Sequence, residues 1–169
     1  MKWSKTVLSV LSIAVIGLLA LGLTSTPAYA VTAQANLNIS ATIVATCTIS
    51  TTPVAFGNYT GVAVTNSTGA VSVTCTNTTQ YTVGLGTGTG TGASVTARAM
   101  TGPALAQLGY ALYTDSGYSL IWDDIGGANV NSGTGNGSAQ NYTVYGKIPT
   151  GQYLAPGGYT DTVIATVSY

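Results

Sequence analysis

Residues 31–49 read VTAQANLNISATIVATCTI, and the spacing of their apolar side chains decides the fold class. Val31, Ala33, Ala35, Leu37, Ile39, Ala41, Ile43, Ala45, Cys47 and Ile49 hold the odd positions, and Val44 alone breaks the polar set at the even ones. Alternation of period two places successive side chains on opposite faces of a sheet, so the stretch reads as β-strand. It is also longer than an ordinary strand of roughly 3–10 residues. One part therefore belongs to a domain, and the other projects for use elsewhere.

The chain before residue 31 reads as an address. Lys2 and Lys5 precede an apolar run from Thr6 to Leu23, and Ala28-Tyr29-Ala30 is a small-x-small cleavage site after Pro27. This order is that of a secretory signal, with cleavage after Ala30. A retained anchor is the other reading, since a bilayer span takes roughly 20 apolar residues. Residues 1–30 are thus expected to be a cleaved signal peptide.

Downstream, short alternating runs lie between turn clusters: Val54 to Tyr59, Val71 to Cys75, Tyr81 to Leu85, Ser94 to Met100, Leu108 to Tyr113, Ser119 to Trp122, Tyr142 to Ile148 and Tyr159 to Tyr169. No window has a helical period. Many short strands at such spacing predict an all-β sandwich or barrel. The Gly-Thr repeat over Gly84 to Gly92 reads as a flexible hairpin loop, and Gly126 to Gly137 as a second Gly/Asn-rich loop. A phosphate-binding loop needs a helix behind it, and the strand-like run from Val95 supplies none.

After residue 30 the only cations are Arg98 and Lys147, against Asp115, Asp123, Asp124 and Asp161, a net charge of −2. So few cations cannot neutralise a phosphate backbone, which excludes nucleic acid as a partner. The chain has no His and no Glu, and Asp123 and Asp124, being adjacent, point to opposite faces of a strand. No catalytic constellation, metal set or cofactor motif emerges, and the reading is of a protein that is not an enzyme. Calcium at Asp115, Asp123 and Asp124 is disfavoured because the loop lacks spaced acids. Cys47 and Cys75, the two cysteines of an exported chain, read as one disulfide. Tyr110, Tyr113, Tyr118 and Trp122 form an aromatic-rich stretch that is core in most sandwiches and a sugar-stacking surface in some.

Several pieces then resemble a known family. They are Cys47-Thr48-Ile49, Phe56-Gly57-Asn58-Tyr59, Val71 to Thr76, Tyr81 to Leu85, Arg98-Ala99-Met100, Leu108 to Asp115, Ile121-Trp122-Asp123-Asp124, Tyr145 to Pro149, Gln152 and Gly157 to Val163. In that order they are similar to the spore coat protein U domain, a family that includes subunits of archaic chaperone–usher pili of the Csu type. Asp123-Asp124 depart from it, since related chains often carry a Gly after the Trp, which bears on a loop.

The resemblance implies an immunoglobulin-like β-sandwich that lacks its final strand and is completed by a donor strand from a neighbouring subunit. The implied partners are identical or related pilin subunits in a head-to-tail polymer, a periplasmic chaperone and an outer-membrane usher. The implied destination is the cell surface, reached through the periplasm, with roles in adhesion and biofilm. On this basis residues 31–41 are the donor strand, with Val31, Ala33, Ala35, Leu37 and Ile39 as its knobs. Residues 42–169 are the domain, its first strand starting near Ile43. A first strand running from Leu37 to Ser50 would instead leave too little to donate. Cys47–Cys75 would tie the first strand to the strand near Val73, and Tyr169 would end the strand beside the gap, its carboxylate offered to a chaperone. The alternatives are a secreted coat or matrix protein that needs no usher, and a carbohydrate-binding adhesive module.

Overall fold

The structure is a computed structural model that describes residues 27–169. The charged start and apolar run of the expected signal peptide lie outside the described residues. Residues 27–40 are exposed and form no strand or helix. Ala41–Tyr169 is a separate compact unit, and it is all-β.

Its strands are β1 Cys47–Thr52, β2 Thr65–Cys75, β3 Gln80–Leu85, β4 Arg98–Thr101, β5 Gln107–Tyr113, β6 Asn131–Thr134, β7 Gln140–Ile148 and β8 Ala165–Ser168. They form a five-stranded sheet in the order β1-β2-β7-β5-β4 and a three-stranded sheet in the order β6-β3-β8, with every pairing antiparallel. The alternation seen in the sequence sets which face is inside. Val71, Val73 and Cys75 of β2, Tyr81, Val83 and Leu85 of β3, Leu108, Tyr110 and Leu112 of β5, and Val144 and Ile148 of β7 make one buried cluster. At roughly 25 cal/mol per Å² of apolar surface removed from water, that cluster is the main stabilising term. Gly146 is the inward residue of β7 without a side chain. A Cβ there would lie 2.6 Å from Val54 and 2.7 Å from Phe56, so glycine makes the space those two side chains fill.

Trp122 ties the two sheets together. Its ring is completely buried, its Nε1 donates to the Val83 carbonyl at 2.9 Å, and its backbone N–H donates to Leu112 at 2.9 Å. The next residue returns to the other sheet, where Leu85 N–H donates to the Asp123 carbonyl at 2.9 Å.

Several expected elements differ. The first strand begins at Cys47 rather than near Ile43. Its partner β2 ends at Cys75, the last contacts being Thr76 N–H to the Thr46 carbonyl at 3.0 Å and Thr46 N–H to the Thr76 hydroxyl at 3.2 Å, so the residues before Thr46 run past the end of the ladder. Val54 to Tyr59 is no strand, although Val54, Phe56 and Tyr59 do pack on the core. Ser94 to Met100 is mostly a tight turn closed by the Ser94–Ala97 bridge, with β4 starting at Arg98. Ser119 to Trp122 contributes a single bridge, Ile121 to Tyr113, and Tyr159 to Tyr169 divides into a Thr160–Thr101 bridge and β8. β6 lies within the segment read as a Gly/Asn-rich loop. Gly133 belongs there because a Cβ would sit 2.6 Å from the hydroxyls of both Tyr81 and Tyr142.

Candidate functional site

Four strands, β1, β4, β6 and β8, lie at a sheet edge, and two of these edges, β1 and β8, border one cleft. β1 pairs only with β2 and β8 only with β3, so each has an edge without a strand partner among the described residues. The inward side chains report the same opening. Val71 and Val73 of β2 are 1% and 0% exposed, whereas Ile49 of β1, Val163 just before β8, and Ala165 and Val167 of β8 stay only half-buried while packing on the core. Between the two edges lies a cleft of about 370 Å³. Val71, Leu85, Leu112 and Val144 form its floor, the Thr51-to-Val54 segment and Phe56 form one wall, and Asp161 to Ala165 form the other. A cleft with an apolar floor, bounded by two open strand edges, offers main-chain hydrogen bonds and side-chain pockets together, which is what an added strand requires.

One wall carries a polar lock. The Asp161 carboxylate accepts from the Tyr110 hydroxyl at 2.6 Å, from Thr89 N–H at 2.7 Å, from the Thr89 hydroxyl at 2.8 Å and from Thr162 N–H at 2.7 Å. Burial pushes the Asp161 carboxyl upward, but the bonds from Tyr110, Thr89 and Thr162 outweigh it, and the net pKa lies below the ordinary carboxylate value. The Tyr110 hydroxyl moves upward, first through burial and then through its bond to Asp161. This lock overturns the reading of Gly84 to Gly92 as a flexible loop. Gly88, at φ +85°, lets the chain pass so close that a Cβ would clash with the Asp161 carboxylate.

Behind the lock sits Arg98, 1% exposed. Its guanidinium donates to the carbonyls of Gly86 at 2.9 Å, Val95 at 2.8 Å, Leu85 at 2.7 Å and Trp122 at 2.9 Å. Burial lowers its pKa, opposed by Tyr110, Asp123, Asp124 and Asp161. In the sequence Arg98 stands out as one of two cations and as part of the Arg98-Ala99-Met100 piece of the resemblance, and neither reveals its burial.

Cys47 and Cys75 face each other across β1 and β2 and are joined, with Cα atoms 4.1 Å apart. They are the two cysteines of the full sequence, and neither is free. Val31, Ala33, Ala35, Leu37 and Ile39 are all exposed, Val31 at 94%, Leu37 at 85% and Ile39 at 88%. The aromatic stretch divides: Trp122 and Tyr110 are core, while Tyr113 and Tyr118 are half-buried. Tyr169 is 60% exposed, one residue past β8.

The family model described as Spore Coat Protein U domain matches residues 33–166. "Protein U" of Myxococcus xanthus is 33% identical over 159 residues, covering 85% of this chain and 88% of that protein. Among solved structures, a chain of the CsuC-CsuE chaperone-tip adhesion subunit pre-assembly complex, from archaic chaperone-usher Csu pili of Acinetobacter baumannii, has the same fold. The TM-score is 0.57 at 24% identity over 76% of this chain. The matched part spans 40% of that solved chain.

Proposed function

The chain belongs to the Spore Coat Protein U domain family, and from that premise we propose that it is a structural subunit of an exported surface fibre built by donor-strand complementation. The observation that carries the proposal is the apolar-floored cleft between the open edges of β1 and β8. An alternating segment bonds to such an edge through its main chain while its apolar face fills the pockets. Residues 31–41 have that pattern, with Val31, Ala33, Ala35, Leu37 and Ile39 as the knobs. A donor taken from the next copy makes a head-to-tail contact that does not close, and repetition gives a fibre.

An unfilled cleft of this kind is an aggregation hazard, which motivates a periplasmic chaperone as the temporary occupant and an outer-membrane usher as the place of exchange. The open second edge of β8, with Tyr169 one residue beyond the strand, is the position such a chaperone would take. Adhesion and biofilm formation are the roles a surface fibre of this type serves.

The test is deletion of residues 31–40 from the mature chain. The truncated subunit should fold in the presence of its chaperone, accept a donor peptide corresponding to residues 31–41, and form no SDS-resistant multimers by itself. Multimers of normal length from the truncated chain would remove the donor assignment. A purified full chain that is stable, monomeric and indifferent to added donor peptide would favour a secreted coat or matrix protein instead.

A further inference from the structure

The outer face of the five-stranded sheet carries a second feature, away from the cleft between β1 and β8. Tyr113 of β5 lies directly opposite Tyr145 of β7, and Ala111 lies opposite Lys147. These residues alternate with buried Leu112, Val144 and Ile148, so they point away from the core. The Tyr118 ring packs edge-on against both tyrosines, with centroids 5.5 Å from Tyr113 and 6.3 Å from Tyr145. The Lys147 ammonium lies 5.5 Å from the Tyr118 centroid. Beside this group Gly109 and Ala111 leave the β5 surface low, producing a trough of about 550 Å³ walled by Tyr113, Lys147 and Pro149 on one side and by Thr96 and Ala97 on the other.

Tyr118 is held there against a backbone preference. Its φ is +55°, a left-handed conformation uncommon for a residue with a bulky side chain. The turn that imposes it is fixed by the Asp115 carboxylate, which accepts from Leu120 N–H at 2.8 Å, from Ser119 N–H at 3.0 Å and from the Ser119 hydroxyl at 2.8 Å. A strained aromatic residue buttressed from below, beside a trough that the core does not require, points to recognition rather than packing.

We propose that this trough binds a short stretch of acidic saccharide, with a sugar ring against Tyr113 and a sugar carboxylate paired with Lys147. The volume lies in the range of ligand clefts, roughly 300–1,000 Å³. Aromatic faces take the apolar C–H face of a pyranose, and Lys147 is the single cation lining the trough apart from Arg98, whose guanidinium is spent on four carbonyls. Tyr118 is a positioning residue: it orients the Tyr113 ring and the Lys147 ammonium. Trp122 takes no part, because it is sealed in the core. The site is independent of the fibre reading, since it uses neither the cleft nor residues 31–41.

The experiment titrates trigalacturonic acid and, separately, cellotriose into the chain as purified from an exporting host, in whatever assembly it forms. The acidic trisaccharide should bind with a dissociation constant on the order of 1 mM or tighter, about tenfold better than the neutral one. Lys147→Met should erase that preference, and Tyr113→Ala should weaken both sugars about tenfold or more. Tyr118→Gly, which relieves the strained φ and so keeps the fold, should lose acidic-sugar affinity at an unchanged melting temperature. No binding of either sugar, equal binding of the two, or binding undiminished in Lys147→Met or Tyr118→Gly would overturn the proposal.

Discussion

The Tyr110 hydroxyl donates a 2.6 Å hydrogen bond to the Asp161 carboxylate, joining the middle of β5 to the segment that leads into the open edge strand β8. The bond crosses the interior from one sheet to the other, and both residues line the cleft. The same carboxylate holds Thr89, so one side chain fixes the cleft wall and the Gly-Thr loop together.

A pH dependence follows from Asp161. Its folded pKa is depressed, so its contribution to stability is fully present above the unfolded value of about 4 and is lost as pH falls through the lower folded value. Wild-type protein should therefore lose stability below about pH 4. Asp161→Asn should be weaker at neutral pH by about 1–2 kcal/mol, the scale of charged hydrogen bonds discounted for partial exposure, and flatter in the acid range. Denaturant melts between about pH 2.5 and 7 check both, and parallel curves for the two proteins would contradict the assignment.

Arg98 predicts a different pattern. Removing a fully buried guanidinium that serves four carbonyls takes away their shared donor, at a cost of roughly 1–3 kcal/mol for each acceptor left unsatisfied. Arg98→Ala should therefore fail to accumulate. Arg98→Lys should recover little, because a point-like ammonium cannot reproduce the planar fork that reaches Gly86, Leu85, Val95 and Trp122 at once. Steady-state levels of exported protein distinguish the cases, and wild-type accumulation of Arg98→Lys would show that the fork is dispensable.

The Cys47–Cys75 bond closes a loop with a sequence separation of 28 residues, for which chain entropy gives about 3–4 kcal/mol. The Cys47→Ser/Cys75→Ser pair should be less stable to unfolding by that amount at neutral pH. Intact protein should gain two hydrogens in mass on reduction. A double variant as stable as wild type would mean that strand pairing alone holds β1 against β2.

The strands most visible in the sequence are those whose inward faces are sealed on all sides. Val71 to Cys75, Tyr81 to Leu85 and Tyr142 to Ile148 alternate because one face is fully buried, and each lies within a strand of the structure. Residues 31–46 alternate just as strictly and form no strand, because alternation encodes the capacity to pair and a ladder needs a partner. β6 escaped notice because its short Asn-Ser-Gly-Thr run is chosen to clear the Tyr81 and Tyr142 hydroxyls rather than to fill a core. Asp161 and Arg98 were invisible as a lock for a different reason. Their partners are backbone groups, the Thr89 hydroxyl and a tyrosine far along the chain, brought together only by the crossing between sheets.

The cleft itself gives the last prediction. Ala165 faces it from β8 and is only half-buried. Replacing it by Trp puts a large apolar side chain into a space of about 370 Å³ that nothing in the domain fills. In an already packed core such an insertion costs roughly 1–3 kcal/mol; here it meets empty volume, and the isolated domain should melt at or above the wild-type temperature. The same side chain occupies the room a donor's knobs need, so Ala165→Trp should block acceptance while leaving residues 31–41 able to donate. Mixed with wild-type subunits it should cap fibres at one end and shorten them in proportion to its share. Leu37→Asp, placed on the donor face, should show the complementary defect: full acceptance of wild-type donor peptide and no donation. Measuring peptide capture and multimer length for the two variants side by side separates the roles, and an Ala165→Trp domain that still captures donor peptide at the wild-type rate would place the donor somewhere other than between β1 and β8.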